Sequence, residues 1–150
     1  MKNFFESSDR RELLDRLDKL RPDAARLWGK MNPAQMCAHC ALALEVAAGD
    51  VPKRQAFIGK VLAPFVKKKI VRGTEPLSKN SPTDPTFVVA DARDFAKEKA
   101  RLFAIADRFA AGGPEAANGR VHSFFGAMTG DEWGVLMWKH LDHHLRQFGG

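Results

Sequence analysis

The sequence is poor in cysteine, in long apolar runs and in charge of one sign, and each shortage excludes something. Two cysteines, Cys37 and Cys40, among 150 residues are too few for a disulfide scaffold. No window approaches the roughly 18 continuous apolar residues of a membrane span, so no membrane partner is expected. Residues 1–10 carry Phe4 and Phe5 and then turn polar. They lack the apolar stretch and small-residue cleavage site of a secretory signal, and a soluble, cytoplasmic protein is expected. The formal net charge is +6, but Lys and Arg are mixed with Asp and Glu along the chain. Lys67-Lys68-Lys69, with Arg72 nearby, is the one dense run. Neither aromatic interleaving nor a nucleic-acid motif accompanies it, which argues against a nucleic-acid partner. There are no internal repeats and no convincing sheet.

What is present suits one all-α domain over residues 1–150. The hydrophobic fraction of 45% and 11 Phe supply a core, and the length buries enough surface to need no staples. Leu13, Leu14, Leu17 and Leu20 share a face of a helix over 11–20, with Asp9 and Glu12 spaced as its cap pair and Arg21-Pro22 as its stop. A turn through Trp28 follows, with Gly29 as a breaker. Asn32, Pro33 and Gln35 then mark a helix start, and the helix runs to about Ala48. Its inward stripe reads Met36, His39, Cys40, Ala43 and Ala47. Residues 57–72 are apolar at helical spacing (Phe57, Ile58, Val61, Leu62, Phe65, Ile70), and Pro64 either kinks that helix or starts a shorter one.

Residues 74–90, with Pro76, Pro82 and Pro85, read as a long crossover between non-adjacent ends of a bundle. Phe87-Val88-Val89 could be a short extended piece, but without a partner strand. Asp91 and Asp94 open a further helix with Phe95, Leu102, Phe103, Ala106 and Phe109 inward, closed at Gly112-Gly113-Pro114. After a second loop, Thr129 and Glu132 form a capping box for the last helix. That helix turns Trp133, Met137, His140 and His144 inward, widened by Leu136 and Leu141.

His140 and His144 are spaced i, i+4, so both rings can reach one metal ion. His140 also pairs with His143 at i+3. The stripe through Trp133 and Met137 selects His144, and His143 points about 100° away. His39 is isolated in sequence but lies on an inward stripe too. Hydrogen-bonded core histidines are the plain alternative, because a buried imidazole needs partners for its ring nitrogens.

The segment Thr129-Gly-Asp-Glu-Trp133-Gly-Val-Leu-Met-Trp-Lys-His140-Leu-Asp-His-His144-Leu-Arg-Gln-Phe-Gly149 resembles the last helix of the DinB/YfiT-like superfamily. Within it, the closest likeness is to a subgroup whose last helix reads KHLDHHxxQFG. The segment Trp28-Gly-Lys-Met-Asn-Pro-Ala-Gln35-Met36-Cys-Ala-His39 resembles its histidine-bearing second helix. The resemblance implies a four-helix bundle with long crossover loops and a metal triad of His39, His140 and His144. It also implies a metal-dependent enzyme, a hydrolase or a transferase or isomerase using a low-molecular-weight thiol, on a small-molecule substrate. A non-enzymatic, metal-stabilised binding or stress-response module is the alternative. Three histidines accept a divalent transition metal, Zn or Ni first and Fe or Mn after them. Bundles of this kind often pair, which makes a homodimer an expectation. His122-Ser-Phe-Phe-Gly126 resembles the subgroup's His-Pro-x-Phe-Gly turn, with Ser123 in place of proline.

Other residues bear on the same site. Gln35, one turn before His39, and Gln147, one turn after His143, can orient a ligand or simply cap and solvate a helix. His143 can shuttle protons or lie at a dimer contact. Cys37-Ala-His-Cys40 is formally a C-x-x-C, but it falls inside a helix with no βαβ pattern around it, which favours small core residues over redox chemistry. Asp142 points away from the histidine face and is expected on the surface. Trp133, Met137 and Trp138 can line a pocket above the metal or pack the core.

Overall fold

A computed structural model describes residues 1–81 and 83–150. Pro82 of the expected crossover lies outside them. The architecture is an all-α, bundle-like fold, and its centre is α2 (Pro33–Ala48). The Asn32 side chain accepts from Gln35 N while Gln35 Oε1 accepts from Asn32 N, and Pro33 stands in the first turn. Both orphan donors are thereby satisfied. Alanines at positions 34, 38, 41, 43 and 47 are all buried. A helix apolar on nearly every face belongs in the interior, and its small side chains let α4 (Phe95–Ala117) lie closely along it. Arg101 of α4 ties the pair together, donating to both carboxylate oxygens of Glu45 at 2.8 and 2.7 Å.

α1 (Ser7–Lys19) and α5 (Gly130–Gln147) complete the bundle. The capping box of Thr129 and Glu132 opens α5 as its sequence indicates. The start of α1 differs from the expectation. The helix begins four residues before Arg11, at Ser7, and Asp9 does not cap it: its carboxylate accepts from Asn3 N and pairs with Lys2. Those contacts fold the N-terminal arm back, so that Phe4 is fully buried and stacks with Phe109 at 5.7 Å. Leu13, Leu17, Met36, Leu102, Trp133, Leu141 and Leu145 fill the core beside it. Each such side chain contributes about 1.5–3 kcal/mol of burial.

Asp142 is not a surface residue. It is 2% exposed and held between Arg16 at 2.8 Å and Arg146 at 2.9 Å. Two guanidinium partners are what a buried carboxylate needs, and the pair with Arg16 locks α1 to α5.

The long run of α4 breaks at Gly113, where the sequence places its stop, and a separate short turn follows. Gly113 turns the chain (φ 66), and Pro114 begins a last helical turn that ends at Ala117. The loop that follows contains a small antiparallel hairpin, β1 (Val121–His122) against β2 (Gly126–Ala127), which the sequence did not reveal. The described residues of the expected crossover, 74–81 and 83–90, have little regular structure. Of the expected extended piece, Phe87 instead closes a 3-10 helix, Pro85–Phe87, and is buried, while Val88 is extended.

The largest departure is α3 (Phe57–Arg72). The helix continues through Pro64, which is exposed. Gly59, Ala63 and Val71 are its buried residues. The apolar residues of the helical pattern face outward except Ile70, which is half-buried; Phe57 and Phe65 are each 81% exposed. Polar and backbone anchors override the apolar pattern. Lys67 pairs with Glu132 at 2.8 Å. Lys139 donates to the carbonyls of Ile70, Gly73 and Glu75, capping the helix end. A Cβ on Gly59 would stand 2.3 Å from Phe124 O, so only glycine lets α3 seat this way against the hairpin.

Candidate metal centre

The middle of α2 and the second half of α5 meet at His39, His140 and His144. His39 and His144 are buried and His140 is half-buried. Each offers one ring nitrogen, and the three lie within 4.8 Å of one another. His39 Nε2 and His140 Nε2 are 3.0 Å apart. Two nitrogens about 2.0–2.1 Å from one zinc ion in a tetrahedral array lie about 3.3 Å apart, so the His39–His140 pair is spaced to share a single ion.

The second nitrogen of two rings is already engaged. His39 Nδ1 is 2.7 Å from Phe87 O. A carbonyl only accepts, so Nδ1 carries the proton and Nε2 presents its lone pair to the cluster. His144 Nδ1 is 3.1 Å from Gln147 Oε1. The orientation of that amide is set from behind, because Gln147 Nε2 donates to Trp28 O at 2.7 Å. Oε1 must therefore face His144, which donates through Nδ1 and leaves Nε2 bare. Leu27 N also bonds Gln147 O at 2.7 Å, latching the loop before α2 onto the end of α5. Gly29 makes the latch feasible. Its φ is +77, and a Cβ there would lie 2.3 Å from Gln147 Nε2.

Burial lowers the pKa of all three imidazoles, most plainly that of His144, to about 3, where His39 adds to the effect. His39 is lowered by burial. His140 falls well below the usual range through burial and its two histidine neighbours. All three are neutral at pH 7, the state in which imidazole binds a metal.

The remaining candidates fall outside the cluster. His143 is half-buried, with its ring 5.0 Å from that of His144 and 5.7 Å from that of Trp28. Gln35 serves the start of α2 and donates to Asp91 O. Gln147, by contrast, acts on His144 rather than on His143, one turn before it. Cys37 and Cys40 are free and buried. Burial pushes the Cys37 thiol up to about 12 and that of Cys40 well above its ordinary value, while Cys40 donates to Met36 Sδ at 3.7 Å. Burial keeps both thiols protonated, and neither joins the histidine cluster. Trp133 is fully buried and donates to Arg120 O. Trp138 donates to Asp9 O and, with Lys139 and Asp142, lines a cavity of about 260 Å³ away from the triad.

His122 is a turn residue. Its Nδ1 accepts from Phe124 N at 3.0 Å and Phe125 N at 3.2 Å, and burial lowers its pKa to about 4. Ala56 N also donates to Ser123 O at 2.7 Å, which holds the turn to the segment before α3. Two groups that matter most to the triad, the carbonyls of Phe87 and Trp28, are backbone atoms with no sequence signal of their own; Gly29 is the nearest thing to one.

Among the described residues, no other group of three or more histidine, cysteine or carboxylate side chains gathers in this way, and none of its helices is long and apolar enough to cross a membrane. No curated protein and no solved structure matches the chain. One family does, over residues 4–149, and on that match the chain belongs to the family described as Protein of unknown function (DUF1569).

Proposed function

We propose that the protein binds one divalent transition metal ion through His39, His140 and His144 and uses it to activate a thiol or water nucleophile on a small molecule. Convergence of three neutral imidazoles carries this reading, two of them aimed by hydrogen bonds from their second nitrogens. An ion with three neutral ligands and an open position lowers the pKa of a coordinated water or thiol and polarises a carbonyl. The chain's own contribution is to hold and orient. Phe87 O and Gln147 fix two rings, and the buried flank at His39 and His144 keeps water from that side. The half-buried His140 marks the approachable side. Among the described residues no carboxylate joins the cluster, which supports thiol chemistry over hydrolysis. A place in the DinB/YfiT-like superfamily, supported by the motif likeness around His39 and His140, belongs to the same proposal. Zinc and nickel are the first candidates, with iron and manganese after them.

A second reading has its own support. His39 and His144 are buried and join α2 to α5, so an ion there would also cross-link the bundle, as in a metal-stabilised module.

Metal analysis of protein purified without a histidine tag should find about one equivalent of a transition metal, or binding on reconstitution. Less than roughly a tenth of an equivalent with no reconstitution overturns the proposal. His140→Ala separates the two readings. A catalytic site loses activity while the fold largely survives; a structural site loses thermal stability along with its metal.

A further inference from the structure

The outer face of α3 is unlike the rest of the surface. At about 100° per residue, Phe57, Val61, Phe65, Lys68 and Arg72 fall within an arc of about 80°. Ile58, Leu62 and Lys69 border it on one side, and Lys60 on the other. The five apolar side chains are 44–81% exposed and together present on the order of 500 Å². Lys60, Lys68, Lys69 and Arg72 are exposed, and none is ion-paired among the described residues. The helix contains no acidic residue. A helix dipole accounts for cations in a last turn, but not for the apolar half beside them. α3 cannot turn this face inward, because Gly59 against Phe124 O, the Lys67–Glu132 pair and the Lys139 cap hold its other side to the body.

We propose that this face docks on a bilayer surface bearing anionic lipids. The phenylalanines would insert at the boundary between headgroups and acyl chains, and the basic turn would meet the lipid phosphates. A rigid surface helix with apolar residues beside unpaired cations suits that boundary. A second copy of the chain fits less well. A two-fold pairing would bring together two helices that carry cations and no carboxylates. The expectation of no membrane partner, drawn from the lack of an apolar span, does not reach a helix that lies flat on a surface.

Full-length protein should co-sediment with vesicles of phosphatidylcholine mixed with phosphatidylserine and much less with phosphatidylcholine alone, and added salt should release it. Lys68→Gln with Lys69→Gln should lower partitioning about 25-fold, roughly fivefold per cation. Phe57→Ser with Phe65→Ser should abolish it while circular dichroism is unchanged, since both rings are exposed. Absence of co-sedimentation at low salt overturns the proposal. So does a dimer by light scattering that the Phe57→Ser, Phe65→Ser variant dissociates and that does not bind vesicles.

Discussion

Gln147→Leu tests the orientation of the metal ligands. The side chain makes two directed bonds, accepting from His144 Nδ1 at 3.1 Å and donating to Trp28 O at 2.7 Å. Leucine has similar bulk and makes neither. The imidazole then loses what fixes its tautomer and ring angle, an effect worth about 10–100-fold in metal affinity. The Trp28 carbonyl loses its donor, at about 1–3 kcal/mol of stability. Gln147→Glu divides the two effects: a carboxylate still accepts from His144 but cannot donate to Trp28 O. Titration against a chromophoric zinc chelator measures affinity, and urea unfolding of the metal-free protein measures stability. Gln147→Leu should lose on both measurements and Gln147→Glu on stability alone. Gly29→Ala should follow Gln147→Leu, because its Cβ strikes the same amide and its φ is strained. If Gln147→Leu binds zinc within about twofold of the wild type, the tautomer argument is wrong.

The metal-free protein should weaken in mild acid. His144 and His122 have folded pKa values of about 3 and about 4, below the ordinary 6.5. The unfolded chain therefore binds protons that the folded one refuses. Stability is complete above about pH 6.5 and falls as pH drops toward 4, by about 2 kcal/mol per group between pH 7 and 5. Urea midpoints at the two pH values report the loss; equal midpoints would refute it. The cysteines should be silent. With Cys37 pushed up to about 12 and both thiols buried, a thiol-reactive chromogen at pH 8 should label neither in the folded state and both in denaturant. Rapid labelling of the folded protein would mean that the core around α2 opens.

How much of the site could be read from sequence depends on the range of the interaction. Helical spacing alone puts His140 and His144 on one face, since 3.6 residues per turn leaves little freedom at i, i+4. Local cap chemistry likewise marks the starts of α2 and α5, because Asn32, Gln35, Thr129 and Glu132 satisfy donors three residues away. The start of α1 was misread because Asp9 is claimed by Asn3 and Lys2, contacts made only when the arm folds back.

Tertiary structure decided what the periodic patterns left open. It brought His39, a hundred residues away in sequence, to 3.0 Å from His140, and it supplied the Phe87 carbonyl that orients His39 and the Trp28 carbonyl that orients Gln147. It also reversed α3. An amphipathic pattern says that one face will be buried only if the competing face has nothing better to bind. Here Gly59, Lys67 and the helix end, capped by Lys139, found closer and more directional partners than the phenylalanines did. The sequence by itself determined the helices and two histidines on one face. Only packing between distant segments decided the third histidine of the cluster, the tautomers and the apolar face that remains outside, because no local rule governs which distant groups meet.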